Sequence, residues 1–132
     1  MKKIRILIVD DMLLMREMMV SSVRKIFPDF EIDVSSSVAD AKKKMEYEPF
    51  SLVLCDWEMP DVKGNELLRW MRSHPSRALN AAPFIMVTAR NDKEAIVEAV
   101  KLGVTDYVIK PLTVDLLSKK IRTILFEGGK KD

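Results

Sequence analysis

Five polar residues stand at the ends of four short apolar runs, and their types are those that phosphoryl chemistry needs. Asp10 and Asp11 follow Ile6-Leu7-Ile8-Val9, Asp56 follows Leu52-Val53-Leu54-Cys55, Thr88 follows Phe84-Ile85-Met86-Val87, and Lys110 follows Tyr107-Val108-Ile109. Brought to one edge, they supply three carboxylates, a hydroxyl and an ammonium. Clustered carboxylates repel one another and are stable together only with a cation; an all-oxygen set favours Mg2+ over zinc. Mg2+ retains waters and seeks phosphate oxygens, so beside Asp56 it would neutralise an incoming phosphoryl group enough for a carboxylate oxygen to attack phosphorus. Lys110 and Thr88 would then hold the phosphoryl oxygens as they develop charge. The product would be an aspartyl-phosphate. A single aspartate at a strand end is ordinarily a turn residue or helix cap; the case rests on all five converging.

What must position them is an alternating chain. The four runs are short and apolar, the first of them β-branched as well, which suits strands buried on both faces of a parallel sheet, with Glu31 to Val34 as a further strand. Between them lie helical patterns. Leu13 to Phe27 carries Met15, Met19, Val23 and Ile26 at helical spacing and ends at Pro28-Asp29. Ser37-Val38-Ala39-Asp40 resembles a capping box opening a helix that reaches about Glu48, before Pro49. A helix is expected over Glu66 to Arg72, and Ser73 to Ala82 reads as a polar loop. Asn91 to Glu94 caps a helix expected to bury Ile96, Ala99 and Val100 and to stop at Gly103. Val114, Leu117, Ile121 and Ile124 form the stripe of a last helix capped by Thr113. Strand and helix alternate five times, predicting an α/β fold, a (βα)5 doubly wound five-stranded parallel sheet with right-handed crossovers. In such sheets ligands bind beyond the carboxyl ends of the strands, where all five polar residues fall.

Composition narrows the function classes. The 132 residues are 48% apolar and 32% charged, within the range of one soluble domain. With 22 Lys+Arg against 20 Asp+Glu, the net charge of +2 argues against nucleic acid or membrane as a partner. No apolar stretch approaches a membrane span, and the run after Met1-Lys2-Lys3 stops at Asp10, too soon for a signal-peptide core. One cysteine, Cys55, excludes an intrachain disulfide framework and favours a reducing, cytoplasmic setting.

Taken jointly, these motifs resemble the receiver domain of two-component response regulators, a CheY-like fold. The matching residues are Leu7 to Asp11, Asp56 with Met59-Pro60 and Gly64, Val87-Thr88-Ala89, Gly103 with Asp106-Tyr107, and Lys110-Pro111. The resemblance implies strand order 2-1-3-4-5 and a receiver domain over residues 1–127; Gly128-Gly129-Lys130-Lys131-Asp132 reads from its composition as a flexible C-terminal tail over 128–132 or the start of a linker. It implies Asp56 as phosphoacceptor, Asp11 as a direct Mg2+ ligand, Asp10 acting partly through water, and the backbone carbonyl of Glu58 completing the protein ligands. It further implies that Lys110 pairs with the phosphoryl group through a loop with a cis bond before Pro111, and that Thr88 and Tyr107 form a switch pair. Glu58 and Arg90, each second after a site residue, resemble positions that tune hydrolysis, and their opposite charges predict an ion pair across the site mouth.

The string Cys55 to Pro60, with Gly64 and Glu66-Leu67-Leu68, looks closest to single-domain chemotaxis regulators. A histidine kinase as phosphodonor is then expected, and a downstream protein target such as the flagellar motor switch, with the protein monomeric. Leu14 and Met18 lie off the buried stripe of the first helix and are the candidates for kinase docking. Lys93, Tyr107 and Ile109 are candidates for the target-binding surface, made by the fourth helix, the fifth strand and the last helix.

Two other classes stand beside this reading. A Mg2+-dependent phosphohydrolase with an aspartate nucleophile could use Glu58 as an acid, but the chain has no cap domain to exclude water. A nucleotide-binding flavodoxin-like module would need a glycine-rich phosphate loop, and the four glycines, at 64, 103, 128 and 129, form none. A receiver cut from a longer DNA-binding or hybrid-kinase protein is a third possibility. Outside the site, Cys55 reads as core, His74 and the Lys42-Lys43-Lys44 run as solvated, and Trp57 as a cover for its loop.

Overall fold

The structure is a computed structural model that describes residues 3–127, so the tail expected at 128–132 lies outside the described residues. Five strands, β1 (Arg5–Val9), β2 (Glu31–Ser35), β3 (Leu52–Cys55), β4 (Phe84–Thr88) and β5 (Asp106–Ile109), form one parallel sheet in the order β2-β1-β3-β4-β5. The helices are α1 (Leu13–Ile26), α2 (Val38–Tyr47), α3 (Gly64–Ser73), α4 (Lys93–Lys101) and α5 (Val114–Phe126).

Because strand side chains alternate, each all-apolar strand feeds two cores. Leu7, Val9, Val53, Cys55, Phe84 and Met86 pack beneath α2, α3 and α4, against Ala41, Leu67, Leu68 and Ala99. Ile6, Ile8, Leu52, Leu54, Ile85 and Val87 pack beneath α1 and α5, against Met19, Val23, Leu117 and Ile121. Each fully buried aliphatic side chain contributes about 1.5–3 kcal/mol relative to exposure, and these strands are buried on both faces. Three helix starts are capped as their sequences predict: Ser37, Asp92 and Thr113 accept from the amides of Asp40, Ala95 and Leu116.

The differences from expectation have physical causes. α4 is rotated so that Ala95 and Ala99 face the sheet, Ile96 is half-buried and Val100 is 63% exposed. The two alanines let the helix lie close to the sheet, which leaves the larger valine outside. α3 begins at Gly64, two residues earlier than the pattern indicates, and the polar loop before β4 contains a single helical turn, Arg77–Asn80, whose Leu79 is buried. His74 is not solvated: its Nδ1 accepts from the Ser76 amide, its Nε2 faces Glu46, and its ring meets Trp70 edge-on. Within the lysine run, Lys44 bridges Asp33 and Asp40 and donates to the Val34 carbonyl, and Lys42 lies over the Trp70 ring. Only Lys43 of the three is exposed.

Candidate functional site

The parallel ladder carries the polar residues to one edge by continuing past the apolar runs. The Asp10 amide donates to Ser35 O, the Asp56 amide to Val9 O and the Lys110 amide to Thr88 O, at 3.1, 3.0 and 2.9 Å. These three site residues are thus each fixed by a backbone bond to the neighbouring strand. The loop after Asp56 then turns back on itself. The Gly64 amide donates to Trp57 O (2.8 Å), and a Cβ at position 64 would lie 1.9 Å from the Asp56 carbonyl oxygen. Only glycine permits that approach, and Asp61, at φ 66°, makes the tight bend before it.

Asp10, Asp11 and Asp56 come together there, one oxygen of each within 4.8 Å of the others. Asp10 is fully buried and Asp56 is 6% exposed, whereas Asp11 faces solvent. Lys110 Nζ donates to Asp10 Oδ2 (3.2 Å) and Asp56 Oδ2 (3.1 Å), so one ammonium holds two carboxylates. The amides of Met12 and Glu58 donate to Asp10 Oδ1 and Asp56 Oδ1, at 3.0 and 3.3 Å. Thr88 is buried, and its Oγ1 accepts from the Arg90 amide (3.3 Å). The Lys110-Pro111 peptide is cis, as the resemblance implied.

Electrostatically the cluster is short of positive charge. Burial pushes the Asp10 carboxyl above the ordinary carboxylate value, the Met12 amide and Lys110 pull it down, and the Asp56 charge adds to the rise. For Lys110 burial opposes the ammonium, but hydrogen bonds to and attraction from Asp56 and Asp10 outweigh it, and its pKa lies above that of a free lysine. Burial, reinforced by the Asp56 and Asp10 charges, lifts the Cys55 thiol well above its usual value. Cys55 is a fully buried core residue, as its sequence position indicated, and it stays a thiol.

The switch pair is joined through one residue. Tyr107 Oη donates to the Arg90 carbonyl (2.8 Å), and Thr88 takes the Arg90 amide. Tyr107 is half-buried and packs against the core under α2 to α4, so its ring is already partly inward. The expected Glu58 to Arg90 pair is present only as a long contact, 3.9 Å from Nε to Oε1. Arg90 instead forks onto Asp92 with bonds of 3.1 and 2.8 Å, and Glu58 takes Lys63 Nζ at 3.0 Å. The reason is proximity: Asp92 is two residues from Arg90 on the same loop, and Lys63 closes the same loop as Glu58.

Leu14 and Met18 are 66% and 51% exposed, and Lys93 and Ile109 are exposed too. A groove of about 360 Å3 between α1 and the loop after β5 is lined by Met15, Met18, Met19, Lys110 and Leu112, bringing the apolar face of α1 beside the acidic cluster. Sequence reasoning missed Arg16, whose Nη1 donates to the Asp10 carbonyl (2.8 Å), and Asp92 as the partner of Arg90. Arg16, in the first turn of α1, reaches back to the end of β1, a contact no spacing rule signals.

The donor set, oxygen throughout and short of cations, fits Mg2+. Asp10, Asp11 and Asp56 are the carboxylates that would hold it, as receiver domains generally hold that ion in an acidic pocket. Among the described residues no helix is long and apolar enough to cross a membrane. Comparison with known proteins agrees with this geometry. A chemotaxis protein CheY homolog of Campylobacter jejuni is 28% identical over 125 residues, covering 95% of each chain. A solved CheY-like response regulator receiver domain protein from Methanospirillum hungatei JF-1 is 29% identical, covers 96% of both chains and superposes with a TM-score of 0.85. A two-component response regulator from Clostridium difficile, at 23% identity, shares the fold with a TM-score of 0.86 over 97% of this chain and 100% of its own. The model of the response regulator receiver domain matches residues 6–122, and the chain belongs to that family, a component of two-component signalling that works between a phosphodonor kinase and a downstream target.

Proposed function

We propose that the protein is a phosphorylation-activated response regulator of the chemotaxis type, cytoplasmic, whose Asp56 accepts a phosphoryl group from a histidine kinase. The observation that carries this reading is the shared ammonium: Lys110 Nζ sits between Asp10 and Asp56 with the Thr88 hydroxyl on the adjacent strand end. In the transfer, an Asp56 carboxylate oxygen bonds to phosphorus while the bond from phosphorus to the donor nitrogen breaks, and the imidazole leaves with its electron pair. Asp10, Asp11, Asp56 and the Glu58 carbonyl would hold Mg2+, which when bound would supply charge neutralisation for the phosphoryl oxygens. Lys110 gives up its bond to Asp56 and pairs with the phosphoryl group, and Thr88 donates its hydroxyl to another phosphoryl oxygen. Glu58 and Arg90, at the mouth, tune the access of the water that later hydrolyses the product.

The protein is a stoichiometric phosphoacceptor, not a turnover phosphohydrolase. The phosphoacceptor and phosphohydrolase readings use the same carboxylates, so the measurement must count equivalents. Intact mass after acetyl phosphate and Mg2+ is expected to show one added phosphoryl group, none in Asp56→Asn and none with EDTA. Labelling of Asp56→Asn, or sustained turnover of small phosphomonoesters, would refute the assignment.

The chemotaxis reading draws on the motif around Asp56 and on the Campylobacter relative's name. A motor-switch protein is the target that reading favours, bound on the face that carries Lys93, Tyr107 and Ile109. For the kinase, the exposed Leu14 and Met18 beside the groove are the docking surface. Changing both to serine is expected to slow transfer from the kinase about thirtyfold or more, as losing two apolar contacts of about 1–2 kcal/mol each predicts, with acetyl phosphate labelling retained. Equal loss in both assays would remove the docking role.

A further inference from the structure

Arg90 stands where four parts of the molecule meet. Its amide bonds Thr88 and its carbonyl accepts from Tyr107. Its guanidinium carbon lies 4.8 Å from the centre of the Trp57 ring, and Nε and Nη2 reach the two oxygens of Asp92. Asp92 Oδ2 also accepts from the Ala95 amide (3.2 Å), the bond that caps α4. Trp57 is buried and directly follows Asp56. One planar cation therefore links the residue after the acceptor to the first turn of α4.

Few side chains could make that link. Stacking on an indole face while donating two parallel bonds to a carboxylate needs a flat guanidinium; a lysine ammonium can satisfy the ring or the carboxylate with only one good bond. The position is also balanced. Glu58 Oε1 lies 3.9 Å from Nε, so Arg90 has a second carboxylate close by on the acceptor loop itself.

We propose that Arg90 is a positioning residue that carries the state of the acceptor loop to the first turn of α4, through its stack on Trp57 and its fork on Asp92. The inference rests on Asp56 being the phosphoacceptor. A phosphoryl group on Asp56 alters the oxygen that receives the Glu58 amide and brings negative charge beside Trp57 and Glu58. The guanidinium then shifts between Asp92 and the acceptor loop. Because Asp92 Oδ2 serves both Arg90 and Ala95, any shift changes the cap of α4. The outer face of that helix, with Lys93, Val97 and Val100 exposed, moves with its first turn.

The test uses the full chain with acetyl phosphate and Mg2+, with hydrogen exchange of the α4 first-turn amides followed by mass spectrometry. Labelling is read as intact mass in the same samples, and variants are compared at matched labelling. In the parent protein exchange of these amides is expected to change several-fold on phosphorylation. In Arg90→Ala that difference is lost, in Arg90→Lys it is largely lost, in Trp57→Leu it is lost, and in Trp57→Phe, which keeps a ring, it persists. A parent-sized response in Arg90→Ala overturns the proposal. So does a variant whose exchange shifts equally with and without phosphorylation while the difference survives, because that is the behaviour of a residue that only steadies the cap. A labelled parent with no response at α4 also overturns it, whereas an unlabelled parent removes the phosphoacceptor reading instead.

Discussion

The two ends of the sheet each hold one cation between two carboxylates, and they behave oppositely. At the amino ends of the strands Arg5 bridges Glu31 and Glu48 and lies over the Phe50 ring. At the carboxyl ends Lys110 bridges Asp10 and Asp56. The charge count is the same, but the side chains of Glu31 and Glu48 are 52% and 48% exposed, whereas those of Asp10 and Asp56 are 0% and 8% exposed. Water screens the first group and leaves the second to its own fields. Asp11 then brings a third carboxylate within 4.8 Å of the other two. Identical stoichiometry gives a clamp at one end and a cation-seeking site at the other.

The sharpest way to break this comparison is to remove each cation. Lys110→Ala leaves two buried carboxylates without their ammonium, and we expect about 3 kcal/mol of destabilisation in the metal-free protein by urea unfolding. Arg5→Ala should cost only about 1 kcal/mol, mostly through lost packing on Phe50. Mg2+ should restore part of the Lys110→Ala deficit and none of the Arg5→Ala deficit. Equal losses at the two ends would mean that burial does not set the difference.

A smaller effect has the opposite sign. The Asp10 pKa is raised on folding, so this group's contribution to stability is fully present below the ordinary carboxylate value and is lost as pH rises through the raised one. At neutral pH the buried charge is a net cost. Asp10→Asn is therefore expected to raise the melting temperature of the metal-free protein by a few degrees at neutral pH, with the gain vanishing in acid, and to weaken Mg2+ binding. Glu48→Gln, at the solvated end, should show no such gain.

The smallest expected effect lies on the rim. The Arg90 fork holds the Asp92 carboxyl below its ordinary value, so its stabilisation is present above the usual carboxylate range and is lost as pH falls through the depressed value. Asp92→Asn should flatten that acid limb slightly while remaining a competent helix cap. An unchanged acid limb would show that the exposed fork contributes no measurable stability.

The site edge was legible because it follows from two local facts: apolar runs that demand burial on both faces, and a polar residue ending each of them. The helix caps were legible for the same reason, since Ser37, Asp92 and Thr113 satisfy amides three residues away. What sequence could not show depends on distance between segments. The phase of α4 turned on Ala95 packing beside Ala99, and a hydrophobic pattern weighs an alanine less than Ile96 and Val100. Arg90 offered two carboxylates in sequence, and loop geometry chose the nearer one. Arg72, an unremarkable position on α3, proves to donate to the carbonyls of Asn80, Ala82 and Gly103, three segments that only the fold brings together.

The close approach of position 64 to the Asp56 carbonyl sets a boundary for anyone rebuilding this protein by saturation mutagenesis. Every side chain larger than hydrogen would collide with backbone rather than with a yielding side chain, so the column of a variant library at position 64 should be empty but for glycine. The neighbouring loop faces solvent at Pro60, Val62 and Lys63 and should accept many residues there, whereas Asp61, at φ 66°, should tolerate little beyond Gly and Asn. A library for altered signalling would therefore vary Pro60, Val62 and Lys63 freely and leave Gly64 untouched.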